Sequence, residues 1–319
     1  MRVQVMGAEL ADRGRGGEAV WWLALQQVPG IGPAGMLRLA RVFGSPAAAI
    51  HASAAEIAAR GGVSTKQARA LAAAKETEPA LRRLIETWRA QGVELVSIGD
   101  ESYPEGLLDL RAPPPLLYLR GCLRPADSRA IAIVGTREPD LRGRAQARRL
   151  GREFANRGFT IASGLAHGID TAGHRGALQS EQGRTIAVLG CGLLRLYPRT
   201  NALLAASIAS RGCLLAEVPP ETKVEAALLL MRDRIQAALT RAVIVVQAHG
   251  ECGSIVTARH AVRCRRLLYG VPWETPTFSE GWATLRSLGA RPLTSDTDLD
   301  EVAREIDAHD AKPRQRPLL

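Results

Sequence analysis

The sequence predicts an α/β fold: an extended Rossmann-like, doubly wound, mostly parallel sheet preceded by a small helical domain. Two observations carry this. Runs at residues 131–134, 185–189 and 242–247 are apolar at nearly every position, as strands are when both faces of their sheet are covered. Each such run is followed by Gly or Ser and then by a longer stretch at helical spacing, the alternation that builds βαβ units. In such sheets ligands bind beyond the carboxyl ends of the strands, where turns meet helix N-termini.

Taken in order, residues 1–17 are polar and Gly-rich and are expected to be poorly ordered. Residues 18–78 read as short helices: Trp22, Leu23, Leu25 and Val28 precede Pro29-Gly30-Ile31-Gly32, and Met36, Leu37, Leu39 and Val42 follow. That turn between helices resembles a helix-hairpin-helix (SAM-like) module, whose glycines let backbone N–H groups approach a phosphate. Residues 79–307 are expected to form the larger domain, with a core over 130–272. It opens with an amphipathic helix at 79–91, burying Leu81, Leu84, Ile85 and Trp88, and strands at 93–98 and 116–119 around a proline-broken linker. Core strands then fall at 131–134, 159–162, 185–189, 213–217, 242–247 and 266–271. The helices between them fall at 142–157, 169–179, 199–210, 226–239 and 255–264. A helix, a short strand and a final helix follow, and a polar tail over 308–319 is expected to be mobile.

Composition narrows the function. Of 319 residues 46% are hydrophobic, yet no run of eighteen is apolar and no signal-peptide core opens the chain, so a soluble cytoplasmic protein is expected. Five cysteines, without C-x-x-C spacing, argue against a disulfide framework or zinc site. The formal charge is +10, and between residues 130 and 270 Arg and Lys outnumber Asp and Glu by 20 to 10. The whole excess therefore lies on the predicted core, which suits a polyanion such as nucleic acid.

The turns sharpen this. After the first core strand the chain reads G-T-R-E-P-D rather than G-x-G-x-x-G, no acidic residue follows the second, and no G-K-[ST] occurs. Dinucleotide and P-loop sites are thereby excluded, and no cofactor is expected. Gly135, Gly164, Gly168, Gly190, Gly192 and Gly253 instead offer backbone N–H groups, Ser163, Ser254 and Thr257 hydroxyls, and Arg137, Arg232 and Arg234 charge. So many along one edge fit a ligand as extended as a phosphate backbone. Asp170 and Glu217 could pair as acid and base. The structural reading is preferred: Asp170 caps the helix after Gly168, and Glu217 accepts backbone hydrogen bonds at a strand end. The histidines at 167, 174, 249 and 260 form no metal-ligand pattern. Neither a catalytic set nor a metal site is expected.

The motifs I-V-G-T-R (133–137), S-G-L-A-H-G-I-D-T-A-G-H-R-G-A-L (163–178), G-R-T-I-A-V-L-G-C-G-L (183–193), Tyr197-Pro198 with Asn201, E-V-P-P (217–220), R-D-R-I (232–235) and G-S-I-V-T-A (253–258) occur in this order. With them the chain resembles the DNA-processing protein A family (DprA, also called Smf). The resemblance implies a non-catalytic protein that binds single-stranded DNA, forms a homodimer and loads the RecA recombinase during natural transformation. It also implies strand contacts at Gly135, Arg137, Ser163, Gly164, Gly168, Arg232, Arg234, Gly253, Ser254 and Thr257, with Asp170, Gly190, Gly192 and Glu217 shaping the turns. Three features depart from the family: Asp233 stands where Asn is usual, 228–231 is an apolar run where an aromatic is common, and the chain stops too soon for a C-terminal winged helix. The runner-up reading is a nucleoside-monophosphate hydrolase; the turn G-E-C-G-S-I-V-T-A lacks the carboxylate after Thr that such enzymes use.

Overall fold

The computed structural model describes residues 18–294 and 297–310; the expected disorder of 1–17 and of 311–319 falls outside them. The chain divides into two compact units, with described residues 18–103 and 111–118 in the first, and 104–110 and 119–310 in the second.

The first unit holds α1 (Ala19–Gln26), α2 (Pro33–Phe43), α3 (Pro46–His51), α4 (Ala54–Arg60), α5 (Thr65–Ala74), α6 (Glu78–Ala90) and β1 (Glu94–Ser97). Helix α1 is buried from Ala19 to Leu25, as a helix apolar on all sides must be. Reciprocal capping boxes, Ser53 with Glu56 and Ser64 with Gln67, start α4 and α5. Between α1 and α2, Gly30 takes φ +79°, a conformation that strains other residues, and Pro33 opens α2 with its φ already helical. The Gln67 side chain braces this turn by donating to the Pro29 carbonyl at 3.2 Å. The expected boundary at residue 78 put α6 and β1 in the larger domain, and β1 is an edge strand of the sheet. By compactness residues 18–103 form one unit, in which α6 buries Leu81, Ile85 and Trp88 and packs on α1.

After β2 (Leu116–Gly121), which spans the unit boundary along the chain, the second unit alternates strictly. Its elements are β3 (Ala130–Val134), α7 (Leu141–Asn156), β4 (Thr160–Ser163), α8 (Ile169–Gln179), β5 (Thr185–Leu189), α9 (Ala202–Arg211) and β6 (Cys213–Ala216). They continue with α10 (Ala226–Leu239), β7 (Ala242–Val245), α11 (Gly253–Arg263), β8 (Leu267–Gly270), α12 (Ser279–Ser287), β9 (Arg291–Pro292) and α13 (Leu299–Asp310). From β3 onward the strands line up in the order β6-β5-β4-β3-β7-β8-β9. The pairs β3–β4, β3–β7, β4–β5, β5–β6, β7–β8 and β8–β9 are parallel.

Strand β3 shows why its run is continuously apolar. Ile131 and Ile133 join one core with Phe154, Phe159, Tyr269 and Ile306, while Ala132 and Val134 join the other with Val243, Val245, Ile255 and Leu285. Alternate side chains of one strand thus fill both layers. Helix α13 carries Leu299, Val302 and Ile306 into the first core and runs on to Asp310. The helix takes in residues 308–310, which the sequence reading placed in the tail.

Candidate nucleic-acid interface

Strands β3, β4, β5 and β6 step outward in one direction, and the chain then returns to lay β7 on the other side of β3. This reversal opens a crevice beyond the carboxyl ends of β3 and β7, where open α/β sheets take ligands. The loop after β3 and the loop leading to α11 border it. The Thr136 N–H donates to the Gln247 carbonyl at 2.7 Å and joins them. Gly168 closes the third side at φ +78°, so near that a Cβ would lie 2.4 Å from the Thr136 carbonyl.

Arg137 stands exposed in the first loop and makes no ion pair or hydrogen bond among the described residues. On the same sheet edge α11 starts at the exposed Gly253, and the side chain of its N-cap, Cys252, bonds none of the helix N–H groups. The first N–H groups of a helix lack intrahelical acceptors, and the helix dipole favours an anion beside them. Gly135 and Gly168, both partly exposed, line the same mouth. The Asp233 carboxylate stands at this helix start as well, its Oδ2 3.8 Å from where a Cβ of Gly253 would be, and it feels the charge of Arg137. An exposed guanidinium and a helix start without a side-chain cap, on one edge of the sheet, are groups that bind phosphate.

Other predicted contacts lie beneath this surface. Ser163 is fully buried and donates to the Ile133 carbonyl at 2.6 Å. The Thr257 hydroxyl is buried and donates to the Gly253 carbonyl at 3.2 Å. The Ser254 side chain is buried, its Oγ 3.1 Å from Cys252 Sγ, which leaves its backbone to face a ligand. Arg232 is 7% exposed. Its Nη1 donates to the Val188 carbonyl and Gln236 Oε1, both at 2.9 Å, and its Nε lies 2.9 Å from Asp233 Oδ1. The guanidinium covers Gly164, whose N–H is already given to Asp170 Oδ2 at 3.0 Å. In this structure the polar groups of Ser163, Gly164, Arg232 and Thr257 hold the loops beneath the surface.

Two carboxylates share Arg232. Asp170 Oδ2 lies 3.9 Å from its Nη2, and Asp233 flanks its Nε. Burial raises the pKa of Asp170, with Arg232 as the main opposing charge. Burial also pushes Asp233 up to about 7 against the pull of Arg232, while Asp170 adds to the rise and Arg137 opposes it. Asp170 does not cap α8, whose N-cap is Gly168; it accepts the Gly164 and Ala166 N–H groups and so shapes the loop before the helix. The cause is the tight β4–α8 loop, in which Leu165 adopts φ +60°.

Glu217 pairs with the Arg234 side chain rather than serving only backbone groups. Burial raises its pKa and Arg234 opposes the rise. Arg234 is thereby drawn partly inward, its side chain 18% exposed. Gly190 lets α10 approach, since a Cβ would lie 2.7 Å from the Leu229 Cα, and the Gly192 N–H donates to the Thr222 carbonyl at 2.8 Å. His174 is buried with Nδ1 2.6 Å from Thr185 Oγ1, and burial lowers its pKa to about 3, so it is neutral. Among the described residues no group of three His, Cys, Asp or Glu is placed to hold a metal ion.

Sequence reasoning gave no role to Gln247, and Asn201 entered only through a motif. Asn201 is buried, and its Nδ2 donates to the Leu165 carbonyl and Thr171 Oγ1, both at 2.9 Å. The Gln247 carbonyl takes the Thr136 N–H, and its Oε1 accepts from the Asp140 N–H at 3.3 Å. An amide directly after five apolar strand residues was the available signal for Gln247.

The comparisons with known proteins agree with this fold. The family model for DNA recombination-mediator protein A matches residues 94–304, and that for a SAM-like helix-hairpin-helix tandem matches residues 23–74. The DNA processing protein DprA of Bacillus subtilis is 35% identical over 256 residues, covering 79% of this chain and 86% of the relative. The crystal structure of DNA processing protein A from Streptococcus pneumoniae matches with a TM-score of 0.74 at 29% identity, covering 86% of this chain and 93% of that one. DNA processing protein A from Helicobacter pylori, solved for its single-stranded DNA binding mode, matches with a TM-score of 0.60 at 27% identity, covering 68% and 96%. This chain belongs to the DNA recombination-mediator protein A family.

Proposed function

We propose that the chain is a cytoplasmic, non-catalytic, homodimeric protein that binds single-stranded DNA and delivers it to the RecA recombinase during natural transformation. The observation that carries the binding is Arg137, exposed at the reversal of the sheet and without an ion pair among the described residues, on the same sheet edge where α11 starts without a side-chain cap. Arginine neutralises one phosphate and the α11 N–H groups bond the next, so the strand is held by its backbone without readout of sequence. The Helicobacter pylori relative's single-stranded DNA binding mode supports this assignment. The non-catalytic reading draws support from Asp170 and Glu217, each drawn to an arginine and away from the role of acid or base. Five free cysteines suit a reducing compartment. Among the described residues no helix is long and apolar enough to cross a membrane.

Fluorescence-anisotropy titration of labelled oligo-dT, with duplex DNA as competitor, tests the binding. Tight binding that duplex fails to displace is expected; equal affinity for duplex contradicts it. Delivery is tested separately, by whether the chain speeds RecA coating of a single strand.

A further inference from the structure

We propose that the outer face of α7 is a second backbone-binding surface that carries onward the strand held at the sheet edge, an inference that rests on the single-strand reading above. Seven positions of α7 are exposed, and four of them are Arg142, Arg144, Arg148 and Arg152. Arg142, Arg144 and Arg148 have no acidic partner among the described residues. Glu153 is the one acidic residue of the helix, and it is engaged by Arg152 at 3.3 Å and Arg157 at 3.1 Å.

The placement runs against helix stability. The first turn of a helix favours Asp and Glu, and cations there oppose the dipole. α7 carries Arg142 and Arg144 within its first four positions, and the one carboxylate at its start is the N-cap Asp140, which accepts the Gly143 N–H at 2.7 Å. Beyond that single N-cap carboxylate the arginines stand without local compensation, as functional sites commonly do when they break a local rule.

The row also has the shape of a linear polyanion. Arg144, Arg148 and Arg152 recur every four residues, so they rise about 6 Å apart, comparable to successive phosphates of an extended strand. The loop holding Arg137 leads directly into the head of this row. There Leu141, 83% exposed, offers an apolar surface to a base. Helix α8 widens the surface: Gly176 packs so closely that a Cβ would lie 2.1 Å from the Arg148 carbonyl, which sets the exposed Arg175 beside the same turn. A small phosphate ligand would call for converging side chains; a divergent row fits a strand.

The test is oligo-dT binding at two lengths, about 6 and about 24 nucleotides, spanning the range of known single-strand footprints. The unmodified chain is compared with the triple variant Arg142→Gln, Arg144→Gln, Arg148→Gln. These side chains are exposed and unpaired, and a circular-dichroism melt checks that the variant folds. The short oligomer is expected to bind both proteins to within about twofold. The long one is expected to lose about tenfold in the variant, with the salt slope falling by about 2, at about 0.7 per phosphate contact. Unchanged long-oligomer affinity and slope in the variant overturn this inference and leave the sheet-edge site standing. Failure of the unmodified chain to bind either length overturns both.

Discussion

Arg232 lies flat on Gly164: a methyl group at residue 164 would sit 1.3 Å from its Nη1. The guanidinium has no room to withdraw, since Val188, Gln236 and Asp233 hold it from the other sides. Gly164→Ala should therefore destabilise the fold by about 3 kcal/mol, the upper range for overpacking in a filled interior. A urea midpoint close to that of the parent chain would show that Arg232 is free to move.

The Asp233 carboxyl predicts how stability follows pH. Its folded pKa, raised to about 7 by burial, lies above the unfolded value of about 3.9. The folded form thus holds a proton that the unfolded form has released. Stability from this group is full below the unfolded pKa and is lost as pH rises through the folded one. The melting temperature should fall between about pH 4 and about pH 7 and level off above that, and Asp233→Asn should flatten that fall. The groups facing Asp233 are Arg232 on its own helix, Asp170 on α8 and Arg137 in the loop after β3. Parallel pH profiles for the two proteins would count against this assignment.

Arg234 and Glu217 supply a second test. Removing the cation from a buried pair costs about 3 kcal/mol, because the carboxylate is left with an uncompensated charge. Arg234→Ala should show this loss near pH 8. The loss should shrink toward pH 5, since burial already raises Glu217 and the missing arginine raises it further. A loss that is the same at both values would mean the pair stabilises only by packing.

Asn201 ties the loop that carries Gly164 and Gly168 to the start of α9. Asn201→Ala removes two donated bonds and leaves the buried Leu165 carbonyl without one of its donors, at a cost of about 2 kcal/mol. Amide hydrogen exchange should quicken across 164–168 in the variant. Unaltered protection there would remove Asn201 from the site's framework.

The legible part of this molecule was periodicity. The helix at 226–239 and the strand at 185–189 fall where the pattern placed them, because chain direction and burial on both faces are written into apolar runs. Which arginine faces water was not legible. Arg137 and Arg232 look alike as letters beside glycine turns, yet one is exposed and the other is 7% exposed under a loop. That distinction depends on contacts distant in sequence: Val188 lies 44 residues from Arg232. The same holds for Asp170, whose acceptors serve the loop before its helix rather than the helix.

The most direct measurement of the central claim is the salt dependence of oligo-dT binding by the parent chain and Arg137→Ala, followed by anisotropy. Arg137 is exposed and unpaired, so its removal should leave the fold intact. Salt-sensitive binding by the parent is expected, with a roughly tenfold weaker variant and a salt slope smaller by about 0.7, the loss of one phosphate contact. Equal affinity and equal slope for the two proteins would contradict a phosphate site at the reversal of the sheet.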